Sequence, residues 1–203
     1  MKKRLVSVWA AAVLFGGFPT AFAEEPPALL REMTQGIDFN LVDENNQPYT
    51  PQNLKGHWTL MYFGFSNCPD TCINMLDNIS QVFEGLPPEA QQKTQLVFAA
   101  FDTERDTPEV LKTYTDAFHD KLLGVSAAKS LGDRIKNAQG FFEGFSIYAE
   151  RAPTRSDGTW VYNHSSHAYL IGPDGTIVTH YAYMTFDIDA VIADVTARVA
   201  HEN

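Results

Sequence analysis

Residues 58–83 constrain this chain more than any other stretch. Trp58-Thr59-Leu60-Met61-Tyr62-Phe63 is a mostly apolar run of strand length, suited to burial on both faces of a sheet. Gly64-Phe65-Ser66-Asn67-Cys68-Pro69-Asp70-Thr71-Cys72 follows directly, and apolar residues then recur at Ile73, Leu76, Ile79, Val82 and Phe83, which is helical spacing. A buried strand that runs straight into a helix opens a βαβ unit, and the rest of the chain continues that plan. Residues 96–101 form a second buried strand. Thr107 is a natural N-cap with Pro108 at the first helical position, opening a helix to about Phe118. Another helix is expected at about 127–138. Residues 141–163, with Gly144, Pro153 and Gly158 between aromatic stretches, break the rhythm and read as an inserted hairpin or long loop. Residues 168–171, a Gly172-Pro173-Asp174-Gly175 turn and residues 177–183 make an antiparallel hairpin, and Asp187 caps a closing helix to about Val199. Upstream, a short strand at 37–41 and a turn at 43–47 extend the fold at its N-terminal side. The order is that of an α/β domain with a central mixed sheet and right-handed crossovers between its parallel strands.

The first 23 residues stand apart from this plan. Lys2, Lys3 and Arg4 precede an apolar run from Leu5 to Phe18, and Ala21-Phe22-Ala23 supplies a small-x-small cleavage pattern. That is the signature of a secretory signal peptide, too short and wrongly flanked for a stable membrane span, with an uncleaved N-terminal anchor as the alternative. No cysteine sits at the cleavage site, which excludes lipid anchoring there. The mature chain is expected to begin at Glu24 and to be periplasmic, with residues 24–36 a loose, proline-bearing lead-in and 37–203 one domain. Removing the signal leaves 12 basic against 25 acidic side chains, a formal charge of −13. An acidic surface without a basic cluster argues against nucleic acid and anionic membrane as partners.

Cys68 and Cys72 are the two cysteines of the chain. In an exported protein such a pair first reads as a structural disulfide. Position argues otherwise. At a strand-to-helix junction, unpaired N–H groups and the positive end of the helix dipole stabilise a thiolate, so a cysteine there is a nucleophile or a metal ligand. A disulfide between them would close a very small loop and restrict the unfolded chain little. Three residues separate the cysteines, where the common redox motif has two. If helical, that spacing places both sulfurs on one face a turn apart. Two thiolates at one point chelate a soft cation such as Cu(I), an added imidazole suits Cu(II), and the pair still oxidises to a disulfide.

Six histidines are available as a third ligand. His57, His119 and His201 read as solvated surface residues, and His180 as a packing or edge residue of the last strand. His164 and His167 lie just before and at the start of a strand expected beside the core strand. In extended chain they point to opposite faces, so at most one faces the cysteines, and periodicity does not choose.

Three stretches in order resemble the Sco/SenC family of copper-binding assembly factors: residues 63–72, Phe101-Asp102-Thr103-Glu104-Arg105-Asp106-Thr107-Pro108, and Asn163-His164-Ser165-Ser166 leading into 169–175. The resemblance covers about residues 37–199. It implies a thioredoxin-like three-layer fold, with copper held by Cys68, Cys72 and His164. The family usually carries Asp before the histidine, and Asn163 here is expected to weaken copper binding or shift redox behaviour if that carboxylate orients the imidazole. Exported thiol-disulfide reductases, by comparison, carry a cis-proline near the position of Ser166, and no proline occurs between Arg155 and Gly172. The resemblance thus implies a metallochaperone that helps assemble the copper centre of a respiratory oxidase. It would act by copper transfer to an oxidase subunit or another copper chaperone, by reduction of the target's cysteines, or by both. The alternative is a thiol-disulfide oxidoreductase with incidental metal binding. Neither copper transfer nor thiol reduction of the target requires a turnover site, so a binding and assembly protein is expected rather than an enzyme.

Overall fold

The computed structural model describes residues 39–126 and 144–201. The signal segment, the lead-in and the helix expected at 127–138 lie outside the described residues. The elements are β1 (Leu41–Asp43), β2 (Pro48–Tyr49), a single 3-10 turn at Pro51–Leu54, β3 (Trp58–Gly64), α1 (Thr71–Gly85), α2 (Pro88–Lys93) and β4 (Thr94–Ala100). After them come α3 (Pro108–Thr115), β5 (Leu122–Ser126), β6 (Ala149–Arg151), β7 (Tyr162–His164), β8 (His167–Ile171), β9 (Ile177–Ala182) and α4 (Ile188–His201).

A seven-stranded sheet in the order β2-β1-β5-β4-β3-β8-β9 forms the centre, and β6-β7 make a separate two-stranded sheet. β3 pairs with β4, and β4 with β5, in parallel; β8 and β9 add antiparallel on the other side of β3. This is the mixed sheet of an α/β thioredoxin-like fold, with an N-terminal hairpin at one edge and the inserted hairpin expected near 141–163. The order explains the apolar run at 58–63. β3 lies between β4 and β8, and all seven of its residues are buried.

α1 buries Met75, Leu76, Ile79, Val82 and Phe83 along one face. At about 2 kcal/mol each, that burial is worth about 10 kcal/mol, an upper value because unfolded chains are already partly compact. A side-chain cap contributes about 1 kcal/mol. Packing therefore sets where this helix lies, and the side chain of its capping residue, Asp70, makes no capping bond. Thr107 does cap α3, accepting the N–H of Val110, and Asp187 accepts the N–H of Ala190 at the start of α4.

Two elements were not legible. β5 contains Gly124 at its centre, which breaks a strand pattern. The glycine is required, because a Cβ there would lie 2.9 Å from Leu111 Cβ and 3.0 Å from Glu44 Oε2. α2 is a six-residue helix opened by Pro88, too short to show periodicity. The N-terminal strand is at Leu41–Asp43, later than expected, because these are the residues that pair with β2 and β5; the turn at 43–47 falls where expected, with the Asp43 carboxylate accepting the N–H groups of Asn45 and Gln47.

Glu44 ties this N-terminal hairpin to the body of the fold. Its buried carboxylate accepts the Gly124 N–H and the Thr115 hydroxyl, both at 2.8 Å. Glu44→Ala leaves a buried N–H without a partner and is expected to cost about 1–3 kcal/mol of stability. Urea unfolding measures this, and an unchanged midpoint would remove Glu44 from that role.

Candidate metal centre

β3 ends at Gly64, and the chain turns through 65–70 before α1 begins. The turn is held by the Cys68 N–H donating to the Phe65 carbonyl at 3.1 Å. Cys72 lies in the first turn of α1; Cys68 lies three residues before its first helical residue. The sulfurs are therefore not one helical turn apart, as a fully helical spacing would have them. They meet because the loop folds back over the helix end, and the Cys72 N–H donates to Cys68 Sγ at 3.4 Å. Both cysteines are free and buried.

Gly64 makes room for this. A Cβ there would lie 2.8 Å from Cys72 Sγ and 2.8 Å from the Phe98 ring. Deeper, the Tyr62 hydroxyl donates to Cys72 Sγ at 3.8 Å, and the Thr71 hydroxyl lies 3.6 Å from Cys68 Sγ.

His164 arrives from the inserted hairpin at the end of β7. Its Nε2 lies 3.7 Å from Cys72 Sγ. Its Nδ1 lies 2.8 Å from the Ser165 carbonyl, which can only accept, so Nδ1 carries the proton and Nε2 turns its lone pair to the sulfurs. The rings of Tyr62, Phe65 and Phe101 stand around the imidazole at centroid distances of 6.4, 5.7 and 5.3 Å. Asn163 is exposed and stands opposite Glu150 on β6. The orienting acceptor is thus the backbone of Ser165, itself fixed because its N–H donates to the Tyr148 carbonyl and its hydroxyl accepts the Tyr148 N–H.

Cys68, Cys72 and His164 bring one sulfur, one sulfur and one nitrogen within 4.8 Å of one another. Of the two histidines left open by periodicity, His164 faces the cysteines. His167 instead packs edge-on against His180. His57 and His201 are exposed, as expected. His119 is not a solvated surface residue: its side chain is only 10% exposed, with Nε2 on Glu84 at 2.8 Å, Nδ1 accepting the Lys121 N–H, and the ring edge-on to Phe83.

The thiols are unequal. Hydrogen bonding from the Cys72 side chain outweighs burial and, with the backbone N–H groups of Asp70 and Cys72, holds Cys68 down to about pKa 3. Burial, and then the neighbouring Cys68, push the Cys72 thiol up. Cys68 is the thiolate of the reduced pair, and Cys72 keeps its proton until something takes it.

Residues of the 101–108 stretch support the loop. Asp106 is fully buried, and its carboxylate accepts both the backbone N–H and the hydroxyl of Ser66, two residues before Cys68. Arg105 pairs with Asp102, donates to the Trp160 carbonyl at 3.1 Å, and lies over the Trp160 ring with Arg151 also on that ring, at 4.1 and 4.0 Å. That stack fastens the insertion that carries His164 to the loop beside the cysteines. The positions lie in the stretch quoted above, but their roles depend on contacts 40 to 55 residues apart, which spacing does not show.

A thioredoxin-like sheet with a Cys, Cys, His cluster at the end of its central strand defines a thiol- and metal-competent protein. The chain belongs to the SCO1/SenC family, whose model matches residues 28–200. It is 36% identical over 148 residues to a SCO2-like protein of Rickettsia prowazekii, covering 72% of this chain and 68% of that one. Among solved structures it resembles Bradyrhizobium japonicum ScoI with copper bound, at 31% identity and TM-score 0.68, covering 79% of this chain and 96% of that chain. It likewise resembles yeast Sco1 with copper bound, at 30% identity and TM-score 0.69, covering 80% and 87%. The chain spans about half the length of several of the mitochondrial relatives it matches. Among the described residues no helix is long and apolar enough to cross a membrane.

Two outcomes test the support of the site. Gly64→Ala forces Cys72 or Phe98 to shift and is expected to cost about 1–3 kcal/mol while changing the alkylation rate of Cys68; unchanged stability and rate would show that the packing at Gly64 has slack. For Asp106, burial outweighs the Ser66 donors and raises its pKa from 3.8 to about 6. The folded chain thus holds this proton more tightly than the unfolded chain. Its contribution to stability is fully present below about pH 4 and is lost as pH rises through about 6, up to about 3 kcal/mol. Asp106→Asn removes this component, so urea midpoints of wild type and variant should diverge between pH 4 and 7. Parallel profiles would show that Asp106 does not titrate there.

Proposed function

We propose that this chain binds copper through Cys68, Cys72 and His164 and serves as a periplasmic metallochaperone in assembly of the copper centre of a respiratory oxidase. The observation that carries the reading is the convergence of two sulfurs and a committed imidazole lone pair within 4.8 Å. Thiolates select Cu(I), and the imidazole admits Cu(II), so one site serves both oxidation states. The spacing fits a single ion. Two ligands bound at about 2.3 Å through sulfur and about 2.0 Å through nitrogen lie about 3.5–3.8 Å apart, against 3.7 Å between Cys72 Sγ and His164 Nε2. The copper-bound relatives of B. japonicum and yeast support the ion's identity. The signal-like N-terminus supports export.

Copper is cargo in this reading, received and passed on by ligand exchange with an oxidase subunit or another copper chaperone. The inequality of the thiols supports a second use, reduction of the target's cysteines. The Cys68 thiolate attacks a target disulfide to give a mixed disulfide and a target thiolate. Cys72 loses its proton and attacks Cys68 Sγ, releasing the second target thiolate. Two electrons pass to the target, and the Cys68–Cys72 pair is left oxidised. This role makes the protein a stoichiometric reductant, not an enzyme with its own turnover site.

The test is copper titration of the reduced chain. One tightly bound equivalent is expected, with sulfur-to-Cu(II) charge-transfer absorption that His164→Ala abolishes while the pair still oxidises to a disulfide. Unchanged Cu(II) binding in His164→Ala would overturn the ligand set. A reduced chain that ignores copper but reduces protein disulfides would favour a thiol-disulfide oxidoreductase.

A further inference from the structure

His167 and His180 are not part of the site described above, and they meet on the other side of the sheet. In the ladder between β8 and β9, His167 lies opposite Ala182 and Tyr169 opposite His180. His167 and His180 are therefore diagonal neighbours on one face, a separation that long side chains bridge. Their rings are 5.0 Å apart and nearly perpendicular, at 86°. The face is fixed by β3. Tyr62, which reaches Cys72, pairs with Ala168, so the residues on either side of Ala168 point the opposite way. Tyr169 packs edge-on against Phe63 there, which agrees.

The centroid spacing leaves room for one ion between the rings once each turns a nitrogen to it. A ligating imidazole nitrogen lies about 1.2 Å from its ring centre and about 2.0 Å from the ion, so the ion sits about 3.2 Å from each centroid. Centroids 5.0 Å apart then subtend about 100° at the ion, between the square-planar and tetrahedral angles. Access and protonation agree. His180 is exposed on β9, the edge strand, and His167 is half-buried. Burial, and then His180, lower the pKa of His167 below the ordinary imidazole range, which keeps a lone pair free. Two imidazoles without a thiolate suit a borderline divalent ion, and Cu(II) heads that series.

We propose that His167 and His180 form a second metal site, a two-imidazole Cu(II) site on the sheet face opposite Cys68, Cys72 and His164. Water completes its coordination. Without a thiolate it favours Cu(II), whereas the sulfur-bearing face serves both oxidation states.

The experiment adds Cu(II) ion alone, in a non-coordinating buffer, to the full chain carrying Cys68→Ser, Cys72→Ser and His164→Ala, and follows electron paramagnetic resonance. One bound equivalent with hyperfine coupling to two nitrogens is expected. Adding His180→Ala or His167→Ala should weaken it at least about tenfold, since even loss of a supporting partner around a metal costs 10- to 100-fold. If the triple variant folds poorly, unmutated reduced chain is first loaded with Cu(I), which is silent in this measurement, and Cu(II) is then added. The proposal is overturned if no Cu(II) binds in either arm, or if binding survives both histidine substitutions. Failure of the Cys68, Cys72 and His164 site would show separately, as absence of Cu(I) uptake.

Discussion

The backbone N–H of Cys72 donates to the sulfur of Cys68 because Asp70, which occupies the capping position, turns its carboxylate to the side chain of Asn74 instead. A helix end must offer its unpaired N–H groups to something, and here one goes to a sulfur. The interaction adds to the Cys72 side-chain hydrogen bond in favouring the thiolate on Cys68, and burial of Cys72 completes the inequality of the pair. Cys72, fully buried and beside a negative neighbour, is left with the proton. In the proposed function, metal capture and disulfide exchange both begin from that arrangement.

The proposed third ligand, His164, comes from 92 positions further along the chain than Cys72, and holding it there is a separate problem. β6 and β7 have three residues each, and an isolated hairpin of that size is marginal in water. The insertion is held by contacts outside its own ladder. Arg105 and Arg151 flank Trp160, and each cation–π contact of this kind is worth about 0.5–2 kcal/mol depending on its exposure. Phe65, Phe101 and Tyr62 enclose the imidazole itself. Arg105 and Asp106 are adjacent in sequence, so one short loop positions both halves of the site: Asp106 holds the loop before Cys68, and Arg105 holds the insertion behind His164.

The elements legible in the sequence were those whose burial is periodic. β3 is mostly apolar and β4 is apolar from Leu96 onward, α1 repeats every three to four residues, and Thr107 and Asp187 mark helix starts by their own chemistry. β5 was hidden by Gly124, whose presence answers to Leu111 and Glu44, residues on other elements. At the site, the strand-to-helix junction made Cys68 and Cys72 conspicuous, and the family resemblance pointed to His164. The choice between His164 and His167 could not come from alternation, because the two belong to different strands, β7 and β8, with Ser165 and Ser166 between them. The concern over Asn163 likewise assumed a carboxylate orienting the ring. The Ser165 carbonyl takes that role, and a backbone acceptor leaves no mark on residue identity.

The two activities combined in the proposed function draw on the same electrons. An oxidised Cys68–Cys72 pair offers no thiolate, so a chain that has just reduced its target cannot hold Cu(I) until it is itself reduced. Conversely, a chain with both sulfurs on copper has no free nucleophile. His164 is the part of the cluster that disulfide chemistry does not use. Its placement by an aromatic cage, a defined tautomer and a fastened insertion has no purpose in thiol exchange alone, where a positive or hydrogen-bonding neighbour to Cys68 would suffice. The structural investment in that imidazole, about a hundred residues from the cysteines in sequence and within 3.7 Å of one in space, is what weighs the site toward metal.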